Sequence, residues 1–374
     1  MKQRITIIAC YYGHKLGVGV FMERLLPLLI EKILGKDYRI TLIVSNDFYN
    51  NSVHLLPQNK DLAIVKPILL RKSIFSKFYF LFILPFLPYV KRAKYVLYCS
   101  DAIVGKSVKN SIPIIHDLND FEEENKFGFL RTLFRKKMIE LSLKRACKVV
   151  VISKFVKAQI EKAFPKEVDN KSVKVIYNGI TLCHEVILSS NEKDSDSNEV
   201  YFLIVGRLDP YAKKLYEAVT LFQTYKKLHS SIKLKFVGGI NDYCKEDAEI
   251  FLQYITNDKD ISYLGFVSDE ELDVLYKNAL ATIFLSKYEG FGFPLLESFA
   301  RGCPVITNAE NEVNDELSSG KDIKILESEL SNEAIVDNKI SQIYNVDRNE
   351  LIKIAGNFTW ERAANDYLGE LMKN

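Results

Sequence analysis

Residues 281–297, ATIFLSKYEGFGFPLLE, start as an apolar strand from Ala281 to Leu285 and pass into a helix with Pro294 in its first turn. Gly290 and Gly292 lie between the two, where the missing side chain lets backbone approach a ligand closely. Proline suits a first helical turn because its absent N–H would have no intrahelical partner there, and the other unsatisfied amides make the helix start an anion site. A strand that runs straight into such a start is the joint of a βαβ unit, and a phosphate would dock at it. Glu289 and Glu297 set one carboxylate on the loop and one inside the helix, both expected to face the ligand and accept hydrogen bonds from sugar hydroxyls. Acidic residues near a helix start are also favoured by its dipole alone, so the motif needs company to mean a site.

Outward from this stretch the same alternation fills the chain. Apolar runs of strand length occur at Ile5 to Cys10, Ile40 to Ser45, Leu62 to Val65, Tyr95 to Tyr98, Ile112 to Ile115, Lys148 to Ile152 and Val173 to Ile176. A second series occupies Val200 to Val205, Leu234 to Val237, Ile261 to Leu264, Ala281 to Leu285 and Val305 to Thr307. Helical patterns separate them, which predicts parallel sheets. Asn178-Gly179 signals a turn, and the polar run SSNEKDSDSNE at 189–199 reads as a linker. The expectation is an α/β protein of two doubly wound, Rossmann-like domains facing across a cleft, with ligands at the carboxyl ends of the strands. The boundaries expected are 1–185 for the amino-terminal domain, 186–199 for the linker, 200–357 for the second domain, and 358–374 for a helix packing back on the first.

Composition agrees: 374 residues suit two domains, and 48% hydrophobic, 26% charged, 17 Gly and 10 Pro exclude a collagen-like or disulfide-framework chain. A net charge of +3 conceals an asymmetry. Residues 1–180 hold 31 Lys and Arg against 15 Asp and Glu, a charge of +16, and the remainder holds 20 against 33, a charge of −13. A basic half suits an anionic membrane or a phosphorylated substrate. The six cysteines form no CxxC pair and are expected to be buried free thiols in a reducing, cytoplasmic compartment. The start, MKQR and then ITIIACYY, imitates a short signal peptide, but it continues into GHKLGVG and is read as the first strand. The longest apolar run, Phe78 to Val90, has 13 residues including two prolines, short of the about 20 that span a bilayer, so no transmembrane helix is expected.

Taken in order along the chain, these motifs closely resemble the group 1 (family 4) retaining glycosyltransferases of the GT-B fold. Glu289-x7-Glu297 within EGFGFPLLES carries the resemblance. Gly206-Arg207-Leu208-Asp209-Pro210 leading to Lys213 is similar to the family's diphosphate-binding segment, and His116-Asp117 to its amino-domain histidine. Gly17-Val18-Gly19 takes the place of its first glycine-rich loop. Val151-Ile152-Ser153, Val175-Ile176-Tyr177-Asn178-Gly179 and Phe358-Thr359-Trp360-Glu361 match further landmarks. Two departures stand out: Lys214 replaces a glycine commonly found after the lysine, leaving open whether Lys213 or Lys214 reaches the phosphate, and the first loop lacks a double glycine.

The resemblance implies a hexosyltransferase using a nucleotide-diphosphate sugar as substrate, with no further cofactor and no metal. Arg207 and Lys213 would stabilise charge developing on the departing diphosphate, each such donor being worth about 3–4 kcal/mol. The amides of Gly290, Phe291, Gly292 and Phe293 would cradle phosphate. Glu289 would bind the transferred sugar, Glu297 the ribose, and His116 the sugar from the amino domain, with Gly17 and Gly19 on the donor side. Asp194-Ser195-Asp196 imitates a metal-binding DxD but falls in the linker. The acceptor expected is a saccharide, lipid-linked, in surface polysaccharide synthesis, which would place the enzyme peripherally on the inner face of the cell membrane. Arg71, Lys72, Lys77, Lys91 and Arg92, interleaved with aromatics, are candidates for contact with anionic lipid, as are Arg131, Arg135, Lys136, Lys137, Lys144 and Arg145.

Nucleic acid is not expected, since the second half is acidic and no nucleic-acid module is recognisable. A nicotinamide-dependent oxidoreductase fits poorly, because Tyr11 to Leu16 separate Gly17 from the strand and Met22 occupies the third glycine position. A non-catalytic sugar-binding or partner subunit and a GT-B sugar-nucleotide epimerase remain as alternatives.

Overall fold

The computed structural model describes residues 2–10, 17–67, 79, 83–99, 108, 110–118, 129–169, 171–182 and 199–373. The chain divides into two compact units, Met1–Gly179 with Phe358–Asn374, and Ile180–Asn357. Arg71, Lys72, Lys77, Cys183, Asp194, Ser195 and Asp196 lie outside the described residues, as does nearly all of the expected linker.

The first unit is built on β1 (Arg4–Ala9), β2 (Arg39–Val44), β3 (Leu62–Val65), β4 (Tyr95–Tyr98), β5 (Ser111–Ile115), β6 (Val149–Val151) and β7 (Val173–Val175). They form one parallel sheet in the order β3-β2-β1-β4-β5-β6-β7. The central strands RITIIA and RITLIV are buried almost throughout, as parallel strands covered on both faces must be. The carboxyl-terminal helix Trp360–Met372 packs against the helix Gly17–Leu34. Phe21 of one meets Trp360 and Tyr367 of the other edge-on, each pair with centroids 6.2 Å apart. At the end of that helix Lys148 Nζ donates to the Glu370 carbonyl at 2.9 Å, placing a cation where the helix dipole favours it.

The second unit contains β8 (Tyr201–Val205), β9 (Lys233–Val237), β10 (Ile261–Tyr263), β11 (Ala281–Phe284), β12 (Val305–Asn308) and β13 (Ile323–Ile325). Its parallel sheet has the order β10-β9-β8-β11-β12-β13, around a core that includes Phe202, Phe222, Phe236 and Phe251. The order reverses between β8 and β11, and in such sheets the crevice beyond the strand ends at that point is where ligands bind. Both motif-bearing loops leave from these two strands. In the first unit the corresponding reversal lies between β1 and β4.

Every run read as a strand is one, with ends displaced by no more than a residue, and β13 is an additional edge strand. The cysteine expectation needs correction: Cys10, Cys99, Cys244 and Cys303 are buried free thiols, but Cys147 is exposed, because it sits on the turn just before β6. Among the described residues no helix is long and apolar enough to cross a membrane.

Candidate functional site

After β8 the backbone turns at Gly206 and runs through Arg207 to Lys214 before the helix Leu215–Lys226 begins. This loop packs tightly on its neighbour. Gly238, at the end of β9, has φ +137°, and a Cβ there would stand 1.9 Å from the Gly206 carbonyl oxygen, so only glycine fits. Leu208 N–H donates to the Gly239 carbonyl at 2.9 Å, fixing the segment that carries Arg207.

Arg207 is held from two sides. Its guanidinium donates to Asp209 Oδ2 at 3.3 Å and lies 5.2 Å from the Tyr243 ring centroid, while Tyr243 Oη donates to the same carboxylate oxygen at 3.2 Å. Burial opposes the charge on Arg207, but the facing Tyr243, Asp209 and Glu289 outweigh it, so the guanidinium keeps its proton more firmly than usual. Arg207 Nε is buried without a hydrogen-bond partner. An orphaned buried donor costs about 1–3 kcal/mol, which an arriving anion would recover.

Lys213 and Lys214 separate cleanly. Lys213 Nζ pairs with Glu289 Oε1, both side chains mostly enclosed. Lys214 stands in the left-handed region at φ 50°, where a glycine would be easy, and its ammonium turns to Glu327 Oε2 at 2.8 Å. Lys213 is therefore the lysine at the Glu289 loop. That loop is tied back to the first one by Lys287 N–H, which donates to the Ala212 carbonyl at 3.1 Å. A small pocket at the ends of β8, β9 and β11 is lined by Gly206, Arg207, Lys213 and Ser286 among others.

The helix Phe293–Ala300 starts at Gly292, whose φ of +96° lets the chain reverse from the loop into the helix, with Pro294 in the first turn. Phe291 is buried and its ring meets that of Phe293 edge-on at 5.2 Å. Glu297, one helical turn further in, accepts a hydrogen bond from Tyr276 Oη at 3.1 Å. Burial pushes the Glu297 carboxyl above the ordinary glutamate range, against the pull of Arg301 and of that hydrogen bond.

In the first unit His116 follows β5, is buried, and lies with its ring 4.8 Å from Phe21, edge to face. Its Nε2 is 3.0 Å from the Cys99 carbonyl oxygen, and since a carbonyl only accepts, Nε2 carries a proton. Gly17 and Gly19 open the helix Gly17–Leu34. Lys91 and Arg92 are exposed, Lys91 lying 4.9 Å from the ring centroid of Phe86, itself 57% exposed.

Sequence reasoning missed Tyr243 and Tyr276, which hold Arg207 and Glu297 in place. It also missed Asn311, whose Nδ2 donates to the Ser286 carbonyl at 2.9 Å at the exit of β11. None follows a recognisable motif. Tyr276 belongs to the apolar face of its helix and reads there as packing.

Residues 187–355 match the family model described as glycosyl transferases group 1. O-antigen chain mannosyltransferase RfbU of Salmonella typhimurium is 29% identical over 214 residues, covering 57% of this chain and 56% of that protein. The chain spans about half the length of the curated relatives it matches. Among solved structures, WaaG, a glycosyltransferase involved in lipopolysaccharide biosynthesis, superposes with a TM-score of 0.70 at 13% identity, covering 99% of this chain and 100% of that one. Anabaena Alr3699/HepE in complex with UDP and glucose gives a TM-score of 0.67 at 15% identity, covering 99% of each chain. These likenesses establish a GT-B architecture.

Proposed function

Residues 187–355 match the group 1 glycosyl transferases, and we propose that the chain is one of them and transfers a hexose, with retention, from a nucleotide-diphosphate sugar to a lipid-linked oligosaccharide. The observation that carries this is the meeting of Arg207, Lys213 and Glu289 at the reversal point of the second sheet. Two cations and a helix start would bind the diphosphate, and a carboxylate beside them would bind the sugar. Residues 1–185 would serve the acceptor side and 200–357 the donor.

In the reaction proposed, the sugar C1–oxygen bond breaks and its electron pair goes to the diphosphate oxygen, whose charge Arg207 and Lys213 stabilise together with amides at Gly290 to Phe293. The acceptor hydroxyl oxygen bonds to C1 on the same face, and its proton passes to the departing phosphate oxygen. Preorganised cations suit this step because they need no reorganisation as charge develops. With the diphosphate neutralised by side chains and amides, the reaction would not need a metal ion. Glu297 would accept from the ribose hydroxyls.

The acceptor class and a bacterial surface-polysaccharide setting are supported by the name of the Salmonella relative, which also makes mannose the first sugar to try. Peripheral attachment to an anionic cytoplasmic leaflet is supported by the basic first half and by exposed apolar residues beside cations. In the helix Phe129–Arg145, Leu133 and Phe134 are 53% and 42% exposed next to exposed Lys136 and Lys137.

Thermal-shift screening of the purified chain against UDP, GDP, ADP and their sugars tests the donor, because a ligand specific for the folded state raises its apparent stability. NMR of the product then reads the anomer. Stabilisation by one nucleotide series and a retained glycoside are expected. No response to any nucleotide would end the donor assignment, and an inverted product would end the retaining mechanism.

A further inference from the structure

Tyr276 lies on the helix Asp269–Asn278, and its side chain is fully buried. A tyrosine that only fills space would leave its hydroxyl without a partner, at a cost that phenylalanine avoids. Here the hydroxyl donates to Glu297 Oε2 at 3.1 Å. Burial pushes the phenol well above its ordinary range, so it remains a neutral donor.

The surroundings make this bond specific. The Arg301 guanidinium lies 5.5 Å from the Tyr276 ring centroid and donates from Nε to Asp273 Oδ1 at 2.8 Å, on the same helix as Tyr276. Its Nη1 donates to the carbonyls of Glu297 at 3.1 Å and Thr181 at 3.4 Å. Arg301 thus binds the helices Asp269–Asn278 and Phe293–Ala300 together, while Tyr276 reaches the carboxylate itself. One neutral donor on one oxygen fixes the rotamer and favours the charged form. It also leaves acceptor capacity, since a carboxylate offers about four lone-pair positions.

We propose that Tyr276 is a positioning residue that holds the Glu297 carboxylate in one orientation to accept both hydroxyls of the donor's ribose; this rests on the nucleotide-sugar reading above. Y276F removes a single oxygen and keeps the ring. The test is calorimetric titration of the full chain, wild type and Y276F, with UDP, GDP and their 2′,3′-dideoxy counterparts. The wild type should favour the ribonucleotide. Y276F should lose about tenfold in affinity for it, as a charge-assisted hydrogen bond is lost, and bind the dideoxy form as before. E297Q should show the same loss, and Y276F combined with E297Q should be no weaker than E297Q alone.

Equal weakening of both forms in Y276F would mean a structural role, and an unchanged preference would mean no role; either overturns the proposal while the wild-type preference still supports Glu297 as the ribose ligand. A wild type that binds both forms equally overturns the proposal through Glu297. A wild type that binds neither nucleotide removes the donor reading and the proposal with it. If Y276F does not fold, the wild-type complex with the bound nucleotide answers instead. Glu297 should then touch the ribose while keeping Tyr276, and a Glu297 that leaves Tyr276 to reach the nucleotide overturns the proposal.

Discussion

Replacing Lys213 by alanine isolates the charge on which donor activation is held to depend. Lys213 Nζ pairs with Glu289 Oε1, with the two side chains 20% and 17% exposed, so the ammonium sits at the edge of the pocket rather than in bulk solvent. At an effective dielectric of about 20, unit charges about 4 Å apart interact by about 4 kcal/mol. Loss of one preorganised donor to a developing oxyanion costs about 3–4 kcal/mol, or about 100- to 1000-fold in rate. The two figures agree in scale. K213A should therefore lower kcat by about 100- to 1000-fold, while its stability falls by about 1–3 kcal/mol, because Glu289 loses its partner in a mostly enclosed site. K214A is the built-in contrast. Lys214 faces Glu327, whose side chain is 57% exposed, and alanine keeps the same left-handed backbone, so its rate should stay within about threefold of wild type. Initial rates of nucleotide release, with unfolding curves for each variant, measure both effects. A K213A enzyme near wild-type rate beside a crippled K214A would refute the assignment of the phosphate lysine.

Gly238→Ala would press a methyl to 1.9 Å from the Gly206 carbonyl and should lower the unfolding midpoint sharply, whereas Gly206→Ala meets nothing within 4 Å and should cost only the backbone strain of its φ of +142°, about 1–3 kcal/mol; similar midpoints for the two would count against the close approach. Asp260 is held down to about 2 by hydrogen bonds from Lys226 and Lys233. An aspartate lowered in the folded state contributes stability above its unfolded value, about 3.9, and loses it as pH falls toward about 2, so D260N should flatten the acid limb of stability between those values; an unchanged limb in urea titrations would exclude that pair as its source. Sedimentation with anionic liposomes should weaken with salt and with K91A/R92A combined with K136A/K137A, at about 1 kcal/mol per cation; binding indifferent to charge would remove the membrane proposal.

Much of this architecture was legible because parallel strands buried on both faces are short apolar runs bounded by polar helices, as at Ile5 to Cys10 and Ala281 to Leu285. β13 went unread although Ile323-Lys324-Ile325 has the same alternation as Val173-Lys174-Val175 of β7; the latter is marked out by the Asn178-Gly179 turn signal that follows it. Of the candidate site residues, Arg207, Lys213 and Glu289 stand out through motif order, and the structure sets Lys213 against Glu289 and lines one small pocket with Arg207 and Lys213. The ambiguity between Lys213 and Lys214 could not be resolved from letters, because it turns on one positive φ that aims adjacent side chains at different carboxylates. Tyr243, Tyr276 and Asn311 were illegible for a related reason. Each acts through a contact made by tertiary packing, at a separation no local pattern encodes.

The most direct measurement is a crystal structure of the chain with the nucleoside diphosphate that stabilises it best. The two phosphates should lie against Arg207, with its Nε now partnered, and Lys213, capped by backbone amides between Gly290 and Phe293. A nucleotide bound elsewhere, with Arg207 still turned to Asp209 alone and Lys213 still closed on Glu289, would contradict the account at its centre.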